Sequence, residues 1–208
     1  GSVIDAYLDT GVRHIVALRG DAPGGGEFQA RDDGFTSSVD LTSALSDMGR
    51  FDEIWVGAYP DPHPESYGTG ADLDWLRAKV DAGATGAITQ FFFEADTFNR
   101  FRDRVANAGI TVDLVPGILP VQSWAGVQKF AARCGATIPV EVAQAFDAAE
   151  RDGRTALLAT AIATELCTDL IEGGADHLHF YTLNRHELTR DIARALGLAP
   201  ELPLAQVA

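Results

Sequence analysis

The tripeptide Arg19-Gly20-Asp21 combines residue types that could bind a ligand. It ends the segment His14–Gly20, which is predicted as a strand, and ligands of parallel α/β folds bind beyond the carboxyl ends of strands. Arg19 and Asp21 lie on the same side of such a strand, and the glycine between them permits close approach of the backbone. A structural ion pair between Arg19 and Asp21 is the alternative, and both interpretations stay open at this point.

Gln90 and Phe130 are two further residues that could contact a ligand. Gln90 interrupts the apolar strand pattern AITQFFF, where an amide without hydrogen-bond partners costs roughly 1–3 kcal/mol. A ligand amide or ring edge could supply those partners, and so could a neighbouring backbone group. Phe130 belongs to a helical pattern of apolar residues with Val127, Ala131 and Cys134. This pattern on its own favours packing of Phe130 in the core.

Lysine occurs at two positions only, Lys79 and Lys129, in a chain of net charge −14. This acidic excess works against binding to nucleic-acid phosphates or to an anionic membrane surface. An anionic ligand must therefore be met by a few local cations. Lys79 and Asp72 share one helical segment and could reach a ligand lying over the second strand, although a solvated helix face is the alternative.

His177 and His179 form an H-x-H pair of the kind that some metal hydrolases use. The pair opens its predicted strand and so lies at the end of a barrel that serves stability rather than catalysis. The two cysteines, Cys134 and Cys167, are far apart and outside any C-x-x-C spacing, which predicts free thiols. We therefore predict no metal site, and a metal-dependent hydrolase is kept as a minor hypothesis resting on the two histidines.

Strand and helix patterns alternate along the chain. Strands are predicted at His14–Gly20, Glu53–Pro60, Gly86–Phe93, Thr111–Ile118 and His177–Leu183. Helices are predicted at Ser2–Leu8, Ser38–Met48, Ala71–Ala82, Thr97–Ala108, Ser123–Cys134, Thr155–Glu172 and His186–Leu196, with left-handed caps at Gly83, Gly109, Gly135 and Gly197.

This alternation predicts an α/β fold with parallel strands joined by right-handed crossovers. No G-x-G-x-x-G follows the first strand, which argues against an open dinucleotide-binding sheet and favours a (β/α)8, or TIM, barrel. Such a barrel has eight strands, and the patterns supply five. We predict a single barrel domain over residues 1–208 that is incomplete at its N-terminus.

Six blocks follow one another in the order and spacing seen in methylenetetrahydrofolate reductases. They are IVALRGD, AYPDPHPE, ADLDWLRAKVDAGA, AITQFFFEADTFNRF, VPGILP and LHFYTLNR. The chain resembles this family from about Val12 to Gly197. The resemblance implies a flavin-bearing TIM barrel that reduces 5,10-methylenetetrahydrofolate to 5-methyltetrahydrofolate. It further implies that NADH or NADPH reduces bound FAD and leaves before the folate takes the hydride, in a ping-pong scheme.

The resemblance also implies roles for individual residues. Asp21 is similar to a catalytic carboxylate that stabilises the cationic iminium formed when the methylene bridge opens. The matching positions imply FAD contacts for Arg19, Gly20, Asp21, Tyr59, His63, Asp72 and Lys79. They imply contacts to the folate, or to the nicotinamide that precedes it, for Gln90, Phe130, Leu183 and Arg185. Phe130 thereby changes from an expected core residue to an expected ligand contact.

The chain departs from the family pattern at several positions. Ser37 stands where a flavin-contacting tyrosine is common, and Gly126 where glutamine is common. Trp75 and Ala78 replace polar residues on the FAD-side helix. The family's general acid, a glutamate on the first strand, has no counterpart, so the resemblance implies that this chain carries strands four to eight and lacks the N-terminal third.

A catalytically inactive barrel remnant that binds folate or a partner subunit is the alternative to an enzyme. Hydrophobic residues make up 46% and charged residues 22% of the 208 positions, which is typical of soluble globular proteins. No apolar run reaches the ~18 residues of a membrane helix, and the first residues lack the layout of a secretory signal. We therefore expect a cytoplasmic homo-oligomer without membrane or nucleic-acid partners.

Overall fold

The computed structural model describes residues 3–20, 29–30, 34–63, 66, 68 and 70–198, and it shows an alternation of helices and parallel strands. The helices are α1 Val3–Asp9, α2 Ser38–Asp47, α3 Ala71–Asp81, α4 Ala95–Asn107, α5 Trp124–Cys134, α6 Val140–Arg151, α7 Thr155–Glu172 and α8 Glu187–Ala195. The strands are β1 His14–Ala17, β2 Glu53–Ala58, β3 Gly86–Thr89, β4 Asp113–Val115, β5 Gly117–Ile118 and β6 His179–Phe180. The chain divides into two compact units.

The first unit comprises residues 1–89 and 100–115 and contains a four-stranded parallel sheet. The strand order follows the chain, β1-β2-β3-β4, so each strand pairs with the next one along the sequence. Alternate residues of β2 are buried, as expected where one sheet face packs against helices. The core of this unit includes Ile54 and Val56 of β2, Leu45 of α2, Leu76 of α3 and Phe101 of α4.

The second unit comprises residues 90–99 and 116–208 and contains the parallel pair β5-β6 with helices α5 to α8. Its core includes Phe91, Leu119, Trp124, Phe146 and Leu188. Trp124 stacks on Phe146 with a 4.8 Å distance between ring centroids, and its indole N–H donates to Asp147 at 2.6 Å. Residues of α5 and α6 thus share one aromatic centre.

The predicted strand Thr111–Ile118 is divided in two at Pro116. The first part, β4, pairs with β3, and the second part, β5, pairs with β6. Proline has no N–H to donate, so it interrupts the hydrogen-bond ladder, but its carbonyl still accepts from His179 N–H at 3.0 Å. The other predicted strands are confirmed in position and are shorter than expected at their carboxyl ends, where the loops begin. The last one, β6, also begins two residues later than predicted, so His177 precedes the strand and His179 opens it.

One helix, α6, was absent from the sequence prediction. It begins after Pro139 and ends at Arg151, and its residues Val142, Ala143 and Phe146 recur at helical spacing and pack into the core of the second unit. The long helix α7 matches its predicted bounds. All four glycines predicted as left-handed caps have positive φ angles: 107° at Gly83, 68° at Gly109, 74° at Gly135 and 78° at Gly197.

The α/β class with parallel strands is therefore present, while closure into a TIM barrel and the numbering of the strands as four to eight stay predictions. Within the described ranges, no helix combines the length and the apolar character that crossing a membrane requires.

Replacing Gly86 with alanine is expected to destabilise the first unit by about 1–3 kcal/mol. Gly86 pairs with Trp55 across the parallel ladder, and a Cβ at this glycine would lie 2.4 Å from two carbons of the indole ring. The ring cannot turn away freely because its N–H donates to Glu53 at 2.8 Å. Urea unfolding measures the loss.

The double variant Gly86→Ala with Trp55→Val isolates the clash. If the ring is the cause, adding Gly86→Ala to Trp55→Val costs much less than adding it to the wild-type protein. Equal costs in both backgrounds would contradict this explanation.

Candidate functional site

The end of β2 and the helix α3 bring Tyr59, His63, Asp72 and Lys79 into one cluster, here called the Lys79 cluster. Tyr59 follows the last residue of β2, and its ring meets the His63 ring edge-on at 4.7 Å between centroids. Asp72 lies in the first turn of α3 and Lys79 in its last turn. The positions seven residues apart fall on one face of the helix.

Lys79 is buried, with 6% of its surface exposed. Its Nζ donates to the carbonyl of Gly57 in β2 at 2.7 Å and lies 5.7 Å from the centroid of the Tyr59 ring. The alternative of a solvated helix face is therefore wrong for this residue. Among the described residues, the Gly57 carbonyl accepts a hydrogen bond from this ammonium. An ammonium has three N–H donors, so the group can also donate to an anion.

Burial lowers the pKa of Lys79 from its ordinary 10.5 to about 8. The nearby Asp72 carboxylate acts in the opposite direction, and the Arg19 guanidinium adds to the lowering. A buried ammonium is unfavourable because it has lost its hydration. A bound anion would stabilise the charged form, so this site favours an anionic ligand such as a phosphate group.

Asp72 holds the loop between β2 and α3. Its carboxylate accepts from the His63 backbone N–H, at 3.4 Å for each oxygen, and from the Ser66 hydroxyl at 2.5 Å. The prolines Pro60 and Pro62 restrict the same loop. His63 is thus positioned through its backbone, which leaves its imidazole to contact Tyr59.

Of the tripeptide at the end of the first predicted strand, Arg19 and Gly20 are described and Asp21 lies outside the described residues. Arg19 is exposed and acts on Lys79 through its charge. Gly20 has φ 78°, and no atom of the described residues lies within 4 Å of the position of a Cβ. An open left-handed position of this kind is where a backbone can approach a ligand closely.

In the second unit, Gln90 and Phe130 are joined through Phe91. The Gln90 side-chain oxygen accepts from the Phe91 N–H at 3.0 Å, so a local backbone partner, one of the two expected alternatives, is present. Phe91 stacks on Phe130 with 5.3 Å between centroids. Phe130 is half-buried against the core of this unit, as its helical spacing with Val127 and Ala131 predicts.

The turn after β6 presents Leu183 and Arg185. Leu183 has φ 49° and Asn184 has φ 60°, a left-handed pair that is unusual for a residue as bulky as leucine. The carbonyl of Thr182 accepts from the Arg185 N–H at 2.9 Å and from the Gln122 side chain at 3.5 Å. Leu183 is 64% exposed, so this strained turn presents an apolar side chain to solvent, which is typical of ligand-binding turns.

The two histidines of the H-x-H pair differ in environment. His177 is exposed, whereas His179 is half-buried against Tyr181, with 4.8 Å between ring centroids, and burial lowers its pKa. Across the part of the chain that the structure describes, no three His, Cys, Asp or Glu side chains come together as metal ligands would. The hydrolase hypothesis therefore gains no support from the described residues.

The sequence was compared with models of protein families, and the model of methylenetetrahydrofolate reductase matches residues 2–197. The chain belongs to the methylenetetrahydrofolate reductase family.

Three curated relatives carry the name 5,10-methylenetetrahydrofolate reductase. The Escherichia coli (strain K12) enzyme is 45% identical over 197 residues, and that of Pectobacterium carotovorum subsp. carotovorum is 44% identical over 197 residues. The one from Buchnera aphidicola subsp. Baizongia pistaciae (strain Bp) is 38% identical over 195 residues. The matches cover 93–94% of this chain and 64% of each relative. The chain thus spans about 64% of the length of these relatives.

Among solved structures, an uncharacterized protein from Clostridium thermocellum that binds two copies of 5-methyl-5,6,7,8-tetrahydrofolic acid aligns with a TM-score of 0.49 and 16% identity. The alignment covers 84% of this chain and 64% of that one. A likeness this weak does not establish a shared fold.

Two departures from the methylenetetrahydrofolate reductase pattern lie at helix N-termini. Ser37 is the N-cap of α2 and accepts from the Asp40 N–H at 3.1 Å. Gly126 lies in the first turn of α5, and its N–H donates to the N-cap residue Ser123 at 3.3 Å. Both residues therefore have structural roles. Trp75 on α3 is 51% exposed.

Sequence reasoning missed three groups that support the proposed contacts. They are the Gly57 carbonyl that accepts from Lys79, the Ser66 hydroxyl that donates to Asp72, and the Gln122 amide that donates to the turn after β6. A backbone carbonyl has no residue-type signal. Ser66 and Gln122 are polar residues in the loops that follow predicted strands, and that position was the available signal.

Proposed function

We propose that this chain is part of a flavin-dependent reductase that converts 5,10-methylenetetrahydrofolate to 5-methyltetrahydrofolate, with NADH or NADPH as the reductant. Membership of the methylenetetrahydrofolate reductase family supports the reaction. The buried Lys79 is the single observation that carries the cofactor assignment, because a buried ammonium with N–H donors to spare beside a strand end favours an anionic ligand.

In this proposal residues of the first unit hold FAD. Lys79 would meet the pyrophosphate charge, Tyr59 and His63 would line the ribityl and adenosine portions, and Asp72 would hold the loop that carries them. Arg19 and Gly20 would hold the flavin from the end of the first predicted strand. When bound, FAD accepts a hydride from the nicotinamide and passes one to the folate.

Asp21 has the proposed catalytic role. A carboxylate near the pterin would stabilise the cationic iminium that forms when the methylene bridge opens, because charge that develops in the transition state is stabilised by a preplaced opposite charge. In the same proposal the nicotinamide leaves before the folate binds, so that both use the same flavin face in turn.

The proposal assigns the substrate contacts to four residues, Gln90, Phe130, Leu183 and Arg185. The Gln90 amide would hydrogen-bond the pterin or the nicotinamide amide, and the Phe130 ring would stack on the aminobenzoyl ring or on the nucleotide that precedes it. Leu183 and Arg185 would complete the folate contacts from the strained turn. The homo-oligomer and the cytoplasmic location stay predictions.

The test uses the protein encoded by the complete reading frame, under anaerobic conditions. NADH or NADPH is expected to bleach the flavin absorbance, and methylenetetrahydrofolate is expected to restore it with formation of methyltetrahydrofolate. A flavin that neither nucleotide bleaches, or that the folate does not reoxidise, would contradict the proposal. Binding of folate with no flavin chemistry would favour the inactive remnant.

The affinity for FAD is expected to fall as the pH rises above about 8. Without ligand, Lys79 loses its proton near this value, and the anionic ligand binds the protonated form. One coupled proton gives a decline of about tenfold per pH unit between the pKa of the free site and the higher pKa of the bound site. Quenching of FAD fluorescence at pH 7 to 9.5 measures the slope. A flat profile across this range would show that Lys79 does not bind the cofactor.

A further inference from the structure

The loop of the Lys79 cluster is held from a second helix. In the last turn of α4, Arg104 donates from Nη2 to the carbonyl of Pro60 at 2.7 Å. Pro60 directly follows Tyr59 and is buried. A buried carbonyl needs a donor, and this donor comes from a helix that is distant in sequence.

The Arg104 side chain is itself held in place. Its Cζ lies 5.5 Å from the centroid of the Phe101 ring, and Phe101 is a core residue with 1% exposure. A guanidinium packed over an aromatic ring loses less freedom on forming a hydrogen bond than a free side chain does. Although Arg104 is an exposed residue, the ring contact therefore favours the conformation that reaches Pro60.

Arg104 and Asp72 hold opposite sides of the same loop. Asp72 fixes His63 and Ser66, and Arg104 fixes the peptide directly after Tyr59. The position of that peptide determines where the Tyr59 ring lies. The centroid of this ring is 5.7 Å from the Lys79 Nζ, which the ring covers. Movement of Pro60 would carry the ring away from Lys79 and admit water.

We propose that Arg104 is a positioning residue of the cofactor site, which keeps Tyr59 packed over Lys79 by holding the Pro60 carbonyl. Arg104 does not touch the ligand in this proposal and acts through the loop. The inference rests on the proposed function only where it concerns FAD, because the state of Lys79 can be measured without any cofactor.

Three charged or titratable groups among the described residues act on Lys79. Arg19 follows β1, Tyr59 follows β2, and Asp72 is on α3 itself; His63 contacts the Tyr59 ring. Burial is the largest cause of the lowered pKa of Lys79. Hydration of the ammonium would therefore raise that pKa, whereas a loss of stability elsewhere would leave it unchanged.

The test compares Arg104→Met and Arg104→Lys with the control Arg77→Met. Arg77 also donates to a backbone carbonyl, that of Ala108, which is outside the loop. All three variants are made in the protein encoded by the complete reading frame. Lysine labelled with ¹³C at Cε is titrated by NMR without FAD, and a Lys79→Met sample assigns the Lys79 signal.

The Lys79 midpoint is expected near pH 8 in the wild type and in Arg77→Met. In Arg104→Met it is expected to rise by about 0.5–1 unit. FAD affinity at pH 7 is expected to fall about tenfold in Arg104→Met and by less than about threefold in Arg104→Lys. An Arg104→Met midpoint equal to that of Arg77→Met overturns the positioning role. Should Arg104→Met fail to fold, Arg104→Ala, which also removes the donor to Pro60, takes its place, and a midpoint equal to that of Arg77→Met overturns the role in the same way. Wild-type protein that binds no FAD overturns the proposed function instead.

Discussion

Lys79→Met is expected to weaken FAD binding by about 30- to 1,000-fold, or about 2–4 kcal/mol. The ammonium is the buried cation of its cluster, with one backbone acceptor among the described residues and donors left for a phosphate oxygen. Methionine fills a similar volume without charge, so the ligand's anionic group would lose its partner. Fluorescence titration of FAD into the apoprotein at pH 7 measures the difference.

The same substitution is expected to leave the free energy of unfolding without FAD within about 1 kcal/mol of the wild type, or to raise it. A buried charge that lacks its ligand destabilises the folded state, and its removal offsets the lost bond to Gly57. The pH dependence of the difference in unfolding free energy between the wild type and Lys79→Met tests this explanation. Because the folded pKa of Lys79 is lowered from 10.5 to about 8, the unfolded chain binds more protons between these values. Wild-type stability relative to Lys79→Met should therefore rise over this range.

Lys129→Met is the matched control, because Lys129 is the other lysine of the chain and is exposed on α5. It makes the same change in net charge and should not change FAD affinity. If both variants lose FAD affinity equally, the effect is one of overall charge. If both keep the FAD affinity of the wild type, Lys79 is not a ligand contact.

Phe146→Ala is expected to destabilise the second unit by about 3–5 kcal/mol. Phe146 has 0% exposure and stacks on the buried Trp124 with ring planes 14° apart. Truncation leaves a cavity beside the indole, which the Asp147 hydrogen bond at 2.6 Å prevents from moving into the space. Urea unfolding followed by tryptophan fluorescence measures the loss.

Val140→Ala, on the same helix, provides the control. Val140 is 64% exposed, and surface substitutions of this kind change stability by about 0.5 kcal/mol or less. A loss for Phe146→Ala no larger than that for Val140→Ala would contradict the packing of α6 against Trp124.

The contrast between α6 and α7 shows what could be predicted from the sequence. The helix α7 spans 18 residues and ends before Gly173 and Gly174, and its bounds were predicted correctly. The helix α6 spans 12 residues, begins after Pro139 and, like α7, has no side-chain hydrogen bond from its N-cap residue. Its stability comes from Phe146 packing on another helix, and such a contact has no local signal.

The Lys79 cluster was predictable in its residue types and not in its environment. Strand-end position and the family resemblance indicated Tyr59, His63, Asp72 and Lys79, which the structure brings together. Burial of Lys79 was not predictable, because it depends on the Gly57 carbonyl and on the Tyr59 ring closing over it. The left-handed pair at Leu183 and Asn184 likewise depends on tertiary contacts, since neither residue type requires that conformation.

The flavin content of the protein tests the central claim most directly. The protein encoded by the complete reading frame is purified, incubated with excess FAD and freed of unbound ligand, and the flavin released by acid is quantified per chain. We expect about one FAD per chain for the wild type and for Lys129→Met, and far less for Lys79→Met. A folded wild-type protein that stays colourless after incubation with FAD would contradict the assignment of the Lys79 cluster as a flavin site.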